Sequence, residues 1–153
     1  MNCETRYLLI VACSQRKRSD PYLLPAIERY DGGNFRVLRK AMQEGYWLQN
    51  IDVLVLSAKY GLIDASTFIA DYDQRMNRER ARELKTQTIQ ILQSYATRGR
   101  YREVYVELGQ NYYFAVDGLS NLFQDSLIIY AEGRVGERQA QLKNWIVAKC
   151  KRR

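Results

Sequence analysis

The chain has 153 residues, 46% of them apolar, with 24 Lys and Arg against 17 Asp and Glu and not one histidine. That length suits one globular domain over residues 1–153 that can bury roughly 70% of its unfolded surface, and the apolar share excludes a disordered tail. Without histidine, Ser-His-Asp and Cys-His catalysis and the common zinc sites fall away, which leaves acid/base work to carboxylates, Lys, Tyr or Cys.

Residues 7–12 (YLLIVA) form an unbroken apolar run, as expected of a strand buried on both faces. The run stops at residues 13–18 (CSQRKR): a thiol, a hydroxyl, an amide and three cations. Residues 30–35 (YDGGNF) suggest a turn with Asn34 as the N-cap of a helix over 35–47, whose Phe35, Leu38, Ala41, Met42 and Tyr46 share one face. A second strand is expected over 51–56, followed by the loop SAKYGL at 57–62. Residues 78–95 carry a 3.6-residue apolar period and predict a long amphipathic helix. Strands are expected at 103–108 and 126–130, separated by a weaker helical stretch over 111–122 that is interrupted near Gly118. A last helix over 135–149 would bury Ala140, Leu142, Trp145, Ile146 and Ala148. The order βαβαβαβα argues for an α/β fold: a three-layer sandwich around a mostly parallel four-stranded sheet. The stretches 20–34 and 57–77 are long for structureless connections, and such loops usually carry function or short elements of their own.

The excess of cations favours anionic partners, nucleic acid first. Cys3, Cys13 and Cys150 are an odd number at no ligand-like spacing, so reduced thiols are expected, with no metal site and no cofactor. No apolar run approaches the roughly 18 residues of a membrane span, and no secretory pattern opens the chain. A cytoplasmic location with no membrane partner is therefore expected. The oligomeric state is not legible.

In a parallel sheet, the loops at 13–18, 57–62, 109–113 and 132–138 would all open at the carboxyl edge, where α/β proteins bind ligands. Phosphate or nucleotide binding is expected there from Cys13, Ser14, Arg16, Lys17, Tyr30, Gly33, Ser57, Lys59, Tyr60, Gly61, Tyr72, Gly133, Arg134 and Arg138. Cations and hydroxyls would hold a phosphate or sugar, Tyr60 or Tyr30 would stack on a base, and glycines would let the backbone approach. Gly133 and Gly136 sit at the start of the last helix, where Glu137 and Arg138 could equally serve only to complement that helix end. Asp73 is the preferred catalytic carboxylate and Glu132 the second candidate, either one stabilising an oxocarbenium-like state or activating water. Cys13 beside Arg16 and Lys17 could be a nucleophile or oxidant sensor, or a small residue filling a tight turn. Neither a dinucleotide-binding glycine fingerprint nor a P-loop occurs.

These residues carry a resemblance. Cys13, Ser14 and Lys17, then Tyr30, Gly32 or Gly33 and Phe35, then residues 56–62 (LSAKYGL), then Tyr72, Asp73 and Met76 form a pattern that resembles a group of uncharacterised bacterial and phage domains. Those domains look like distant relatives of the YaaA family, which is associated with peroxide resistance and DNA binding. The ending GRVGER at 133–138 fits as well. The resemblance implies a shared site more than a shared reaction. The function expected overall is an enzyme that processes nucleotides or nucleic-acid bases through N-glycosidic cleavage or transfer. The alternative is a non-enzymatic domain that binds nucleic acid or senses a nucleotide in a stress response.

Overall fold

A computed structural model describes residues 5–152, with the side chains of Trp47, Lys151 and Arg152 left aside; Cys3 lies outside the described residues. The first apolar run forms β1 (Arg6–Ala12), and α1 (Gly33–Gln43) follows it. Then come β2 (Ile51–Ser57), β3 (Gly61–Asp64), α2 (Arg78–Arg98), β4 (Tyr101–Glu107), β5 (Leu127–Tyr130) and α3 (Val135–Lys149). The sheet order is β3-β2-β1-β4-β5. β1, β2, β4 and β5 run parallel, and β3 is antiparallel to β2.

The sheet therefore has five strands where four were expected. The fifth arises inside the segment taken as a loop: Ser57 pairs with Gly61 across a three-residue turn, and Gly61 holds the positive φ of 75° that closes it. Leu62 then packs into the core and covers the outer edge of β2.

The central strands alternate between two cores, which is why their sequence shows no polar face. Leu9 and Val11 of β1, Val53 and Val55 of β2 and Tyr105 of β4 meet Phe35 and Leu38 of α1 and Trp145 and Ile146 of α3. Leu8, Ile10, Leu54, Leu56, Val104 and Val106 meet Ala81, Leu84 and Leu92 of α2 on the other face. These are the three layers expected.

The helices are close to expectation, with differences that have local causes. α1 begins at Gly33 behind a Gly32 cap, not behind Asn34, and ends at Gln43, four residues early, so that Met42 is 39% exposed. The chain at 44–47 turns away at Gly45 (φ 93°), and Tyr46–Trp47 pairs with Lys151–Arg152. α2 has Asn77 as its cap, its side chain accepting from the Arg80 N–H. Residues 111–122 form a 3₁₀ turn (Gln110–Val116) and one α-turn (Leu119–Leu122) on either side of a left-handed Gly118. In α3, Ala140 and Ala148 are exposed, while Leu142, Trp145 and Ile146 are buried as expected.

The long connection after β1 is organised by Arg29, which is fully buried and has no carboxylate partner among the described residues. Its guanidinium donates to the carbonyls of Arg18 (2.6 Å), Asp20 (3.1 Å), Tyr22 (2.5 Å) and Ile69 (3.4 Å). Those bonds hold residues 18–22 against the two-strand ladder of Leu24–Pro25 and Phe68–Ile69. Backbone bonds from Arg18 N to Arg29 O and from Asp31 N to Arg16 O then fix Lys17 opposite Tyr30.

Candidate functional site

β1 and β4 are neighbours whose following segments leave to opposite faces of the sheet: the chain after β1 leads to α1, and the chain after β4 packs against α2. Such a divergence opens a crevice at the carboxyl ends of the two strands. The crevice is a cavity of about 190 Å³ lined by Cys13, Ser14, Lys17, Asp73, Arg75 and Tyr112 among others. At its floor the Cys13 Sγ and the Tyr112 hydroxyl are 3.3 Å apart.

Beside the cavity three hydroxyls form a closed triangle. Tyr30 donates to Ser57 Oγ (2.9 Å), Ser57 Oγ lies 3.0 Å from the Tyr72 oxygen, and the two phenol oxygens are 2.6 Å apart. Ser57 Oγ also accepts from the Tyr60 N–H at 3.1 Å. With both acceptor positions of Ser57 filled, its proton goes to Tyr72, and Tyr72 in turn donates to Tyr30. Each hydroxyl in the ring donates once and accepts from the next. Burial, together with the neighbouring Cys13, pushes the Tyr72 phenol up to about 12. Burial pushes the Tyr30 and Tyr112 phenols up as well. All three are neutral at physiological pH, so none is a resting base.

Two lysines converge on this aromatic group. Lys17 Nζ stands 4.3 Å from the Tyr72 ring and donates to the Gln15 carbonyl; Lys59 Nζ stands 5.3 Å from the Tyr60 ring and 5.9 Å from that of Tyr72. Tyr60 meets Tyr72 edge to face at 5.6 Å. Neither lysine has a carboxylate partner among the described residues. Arg75 meets a neutral partner: with the Gln15 amide turned to present its oxygen, Arg75 donates to it at 2.6 and 3.2 Å.

Ser14 supports the floor by donating to the Arg16 carbonyl (2.7 Å) and accepting from Gly32 N (3.1 Å). This approach needs glycine, because a Cβ at position 32 would lie 2.6 Å from the Ser14 Cβ. Gly32→Ala is expected to lower stability by about 1–3 kcal/mol in urea unfolding. Adding Ser14→Gly should return part of that loss; no recovery would place the strain elsewhere.

The remaining expected residues fall in two other places. Arg16 and Gly33 line a separate cavity of about 460 Å³ with Arg36 and Lys40. There Arg16, Arg36 and Arg39 all pair with Asp31, at 3.4, 3.3 and 2.7 Å, and the hydrogen-bonded Arg36 guanidinium holds the Asp31 carboxyl below the usual carboxylate range. Arg138 pairs with buried Glu107 and donates to the Leu108 carbonyl (3.0 Å), which ties α3 to β4. Glu132, Gly133 (φ 97°) and Arg134 lie exposed at the same sheet edge. The Glu132 backbone is held by Gln141. Gly61 closes the β2–β3 turn.

The structure thus brings together Cys13, Ser14, Lys17, Tyr30, Ser57, Lys59, Tyr60, Tyr72 and Asp73, and sets Arg16, Gly33, Glu132, Gly133, Arg134 and Arg138 apart. Tyr112 and Arg75 were missed. Tyr112 sits in one of the four loops expected to converge, so topology was its signal; Arg75 sits one residue from Met76 of the resemblance pattern.

Fold and site together define the chain as a mostly parallel α/β domain, covered on both faces, with a polar cavity where its strand order reverses. It belongs to a family of unknown function, DUF6884, whose pattern matches residues 8–144. The fold is similar to that in the crystal structure of AF0587, a protein of unknown function, with a TM-score of 0.55 and 14% identity over 93% of this chain and 44% of that one. The chain thus spans less than half the length of that protein. No curated protein matches it. No described helix is long and apolar enough to cross a membrane.

Proposed function

We propose that the protein is a cytoplasmic enzyme that processes nucleotides or nucleic-acid bases, cleaving or exchanging an N-glycosidic bond at the crevice between β1 and β4. One observation carries this reading: a carboxylate, Asp73, shares a cavity with Lys17 and Arg75, cations that have no carboxylate partner among the described residues. At about 190 Å³ the cavity is smaller than the roughly 300–1,000 Å³ of pockets that enclose whole ligands. It suits a phosphate and its sugar, with the base reaching out toward Tyr60 and Tyr72. Lys17, Lys59 and Arg75 would hold the phosphate, Ser14 would bond the sugar, and Asp73 would stabilise the oxocarbenium-like state or activate water. Kinship with the YaaA proteins belongs to the same proposal and rests on the residue pattern around Cys13, Tyr30, Ser57 and Tyr72.

Chromatography of free base released from nucleosides, nucleotides and oligonucleotides tests the reading. Release is expected, with Asp73→Asn lowering kcat by about 10²–10⁴-fold. Lys17→Gln should act chiefly on KM. No release across the panel, or an Asp73→Asn variant as fast as the native chain, overturns it.

A second reading is ligand sensing or nucleic-acid binding without turnover. It is favoured by Asp73 itself, which is exposed and makes no side-chain hydrogen bond among the described residues, whereas catalytic groups are normally held by supporting bonds. Thermal stabilisation by nucleotides with no product would decide for it.

A further inference from the structure

At the opposite edge of the sheet, where β1, β4 and β5 begin, lies a groove of about 1250 Å³. Three of its residues, Arg98, Arg100 and Arg102, come from the stretch RGRYR at 98–102. All three are exposed, and none has a carboxylate partner among the described residues. One lining carboxylate, Asp125, faces them; Arg6 lines the groove too but is bound to Asp52 at 2.6 Å.

The backbone aims this arginine row outward. Opposite one step of β1, from Arg6 to Tyr7, β4 advances two residues, from Tyr101 to Glu103, so Arg102 is the extra residue of a β-bulge. Bulges are rare in parallel pairs and turn a side chain to a new direction. Here the bulge lets Tyr101 enter the core on the α2 side while Glu103 meets Trp145 and Lys149 on the α3 side. Arg102, between two buried residues, is left in solvent beside Arg100. Arg98 is braced from behind by Tyr95, its guanidinium 4.4 Å from the centre of that ring.

We propose that this groove binds the phosphodiester backbone of a nucleic-acid strand. Guanidinium groups in a row match the bidentate geometry and repeated charge of phosphates. Asn121 and Gln124 on the far wall add neutral amides that can meet sugar or base edges. An acidic peptide would seek an apolar anchor as well, but the rings at the groove, Tyr101 and Phe123, are only 5% and 4% exposed. The groove is distinct from the crevice at the carboxyl edge and does not depend on its chemistry.

Fluorescence anisotropy with labelled single-stranded DNA, single-stranded RNA and duplex DNA of about twelve nucleotides tests the site between roughly 50 and 200 mM salt. Binding is expected to at least one of them, falling linearly on a log–log salt plot. Arg100→Ala combined with Arg102→Ala should weaken it about 10-fold or more and flatten the slope by about 1–2. Arg82→Ala combined with Lys85→Ala, which removes the same charge from α2, should change it far less. Melting temperatures compare the folding of all variants. Base release from free nucleosides, which reports on the crevice alone, should be the same in the Arg100/Arg102 variant as in the native chain. Absence of binding to all three probes at low salt overturns the proposal. So does an equal loss in both double variants, or displacement of the oligonucleotide by polyglutamate as readily as by unlabelled oligonucleotide, which would mark an acidic-peptide site.

Discussion

Replacing Arg29 by leucine is expected to destabilise the protein by about 2–4 kcal/mol, a large part of the 5–15 kcal/mol that holds a typical domain together. The side chain is fully buried and its charge is balanced by the dipoles of four backbone carbonyls, with no acid among its partners. Leucine would fill part of the volume but leave those carbonyls without a donor, at about 1–3 kcal/mol for each that water cannot reach. Lysine would keep the charge, yet a single ammonium cannot replace two guanidinium nitrogens, one of which holds the Arg18 and Asp20 carbonyls and the other those of Tyr22 and Ile69, so Arg29→Lys should recover only part of the loss. Urea unfolding measures both. Because Arg29 fixes the segment that sets Lys17 opposite Tyr30, hydrogen exchange at residues 16–22 should rise in the leucine variant. Native stability in Arg29→Leu would mean that water reaches the carbonyls.

Above about pH 10 the protein is expected to lose stability steeply. In the unfolded chain a phenol ionises near pH 10. In the folded chain Tyr30, Tyr72 and Tyr112 keep their protons to higher pH, and Tyr72 titrates at about 12. Between these values the native state binds more protons than the unfolded one, so stability falls as pH rises. The contribution is complete below about pH 10 and disappears through pH 12 and beyond. Each unit of difference corresponds to about 1.4 kcal/mol; discounted for the partial exposure of Tyr72 and Tyr112, the loss by pH 12 is on the order of 4 kcal/mol. Urea midpoints at rising pH, alongside phenolate absorbance, follow it. Tyr72→Phe should make the decline shallower. A flat midpoint from pH 9 to 12 would show that the ring opens to solvent.

The layers of this fold were legible because burial on two faces leaves apolar runs such as residues 7–12, and because α3 announces itself by its spacing of Leu142, Trp145 and Ile146. β3 was not legible: it is four residues long, and its turn glycine reads equally well as a loop residue until the pairing of Ser57 with Gly61 is seen. Part of the site followed from strand direction alone, which brings Lys17, after β1, and Lys59, after β2, to the same carboxyl edge, where both approach the Tyr72 ring. Arg16 and Lys17 are adjacent in sequence, yet they face different cavities, because the bridge to Tyr30 extends the chain there and sends successive side chains opposite ways. Arg29 gave no signal, since an arginine is ordinarily expected at the surface. The bulge at Arg102 was equally silent, because a count of alternating residues cannot reveal an extra one until the partner strand is known.

The ring of Tyr30, Ser57 and Tyr72 has a sense of rotation, which the Tyr60 amide imposes by occupying the last acceptor position of Ser57. Its three protons are all committed. A group arriving at the Tyr72 oxygen therefore meets an acceptor and must bring its own proton; a bare oxyanion would gain a bond there only by breaking the circuit. The lysines beside the ring have the opposite preference, because an ammonium can only donate. Within the width of one tyrosine, the surface thus offers an acceptor at one point and a positive charge at the next, a polarity that would orient any molecule bound across both.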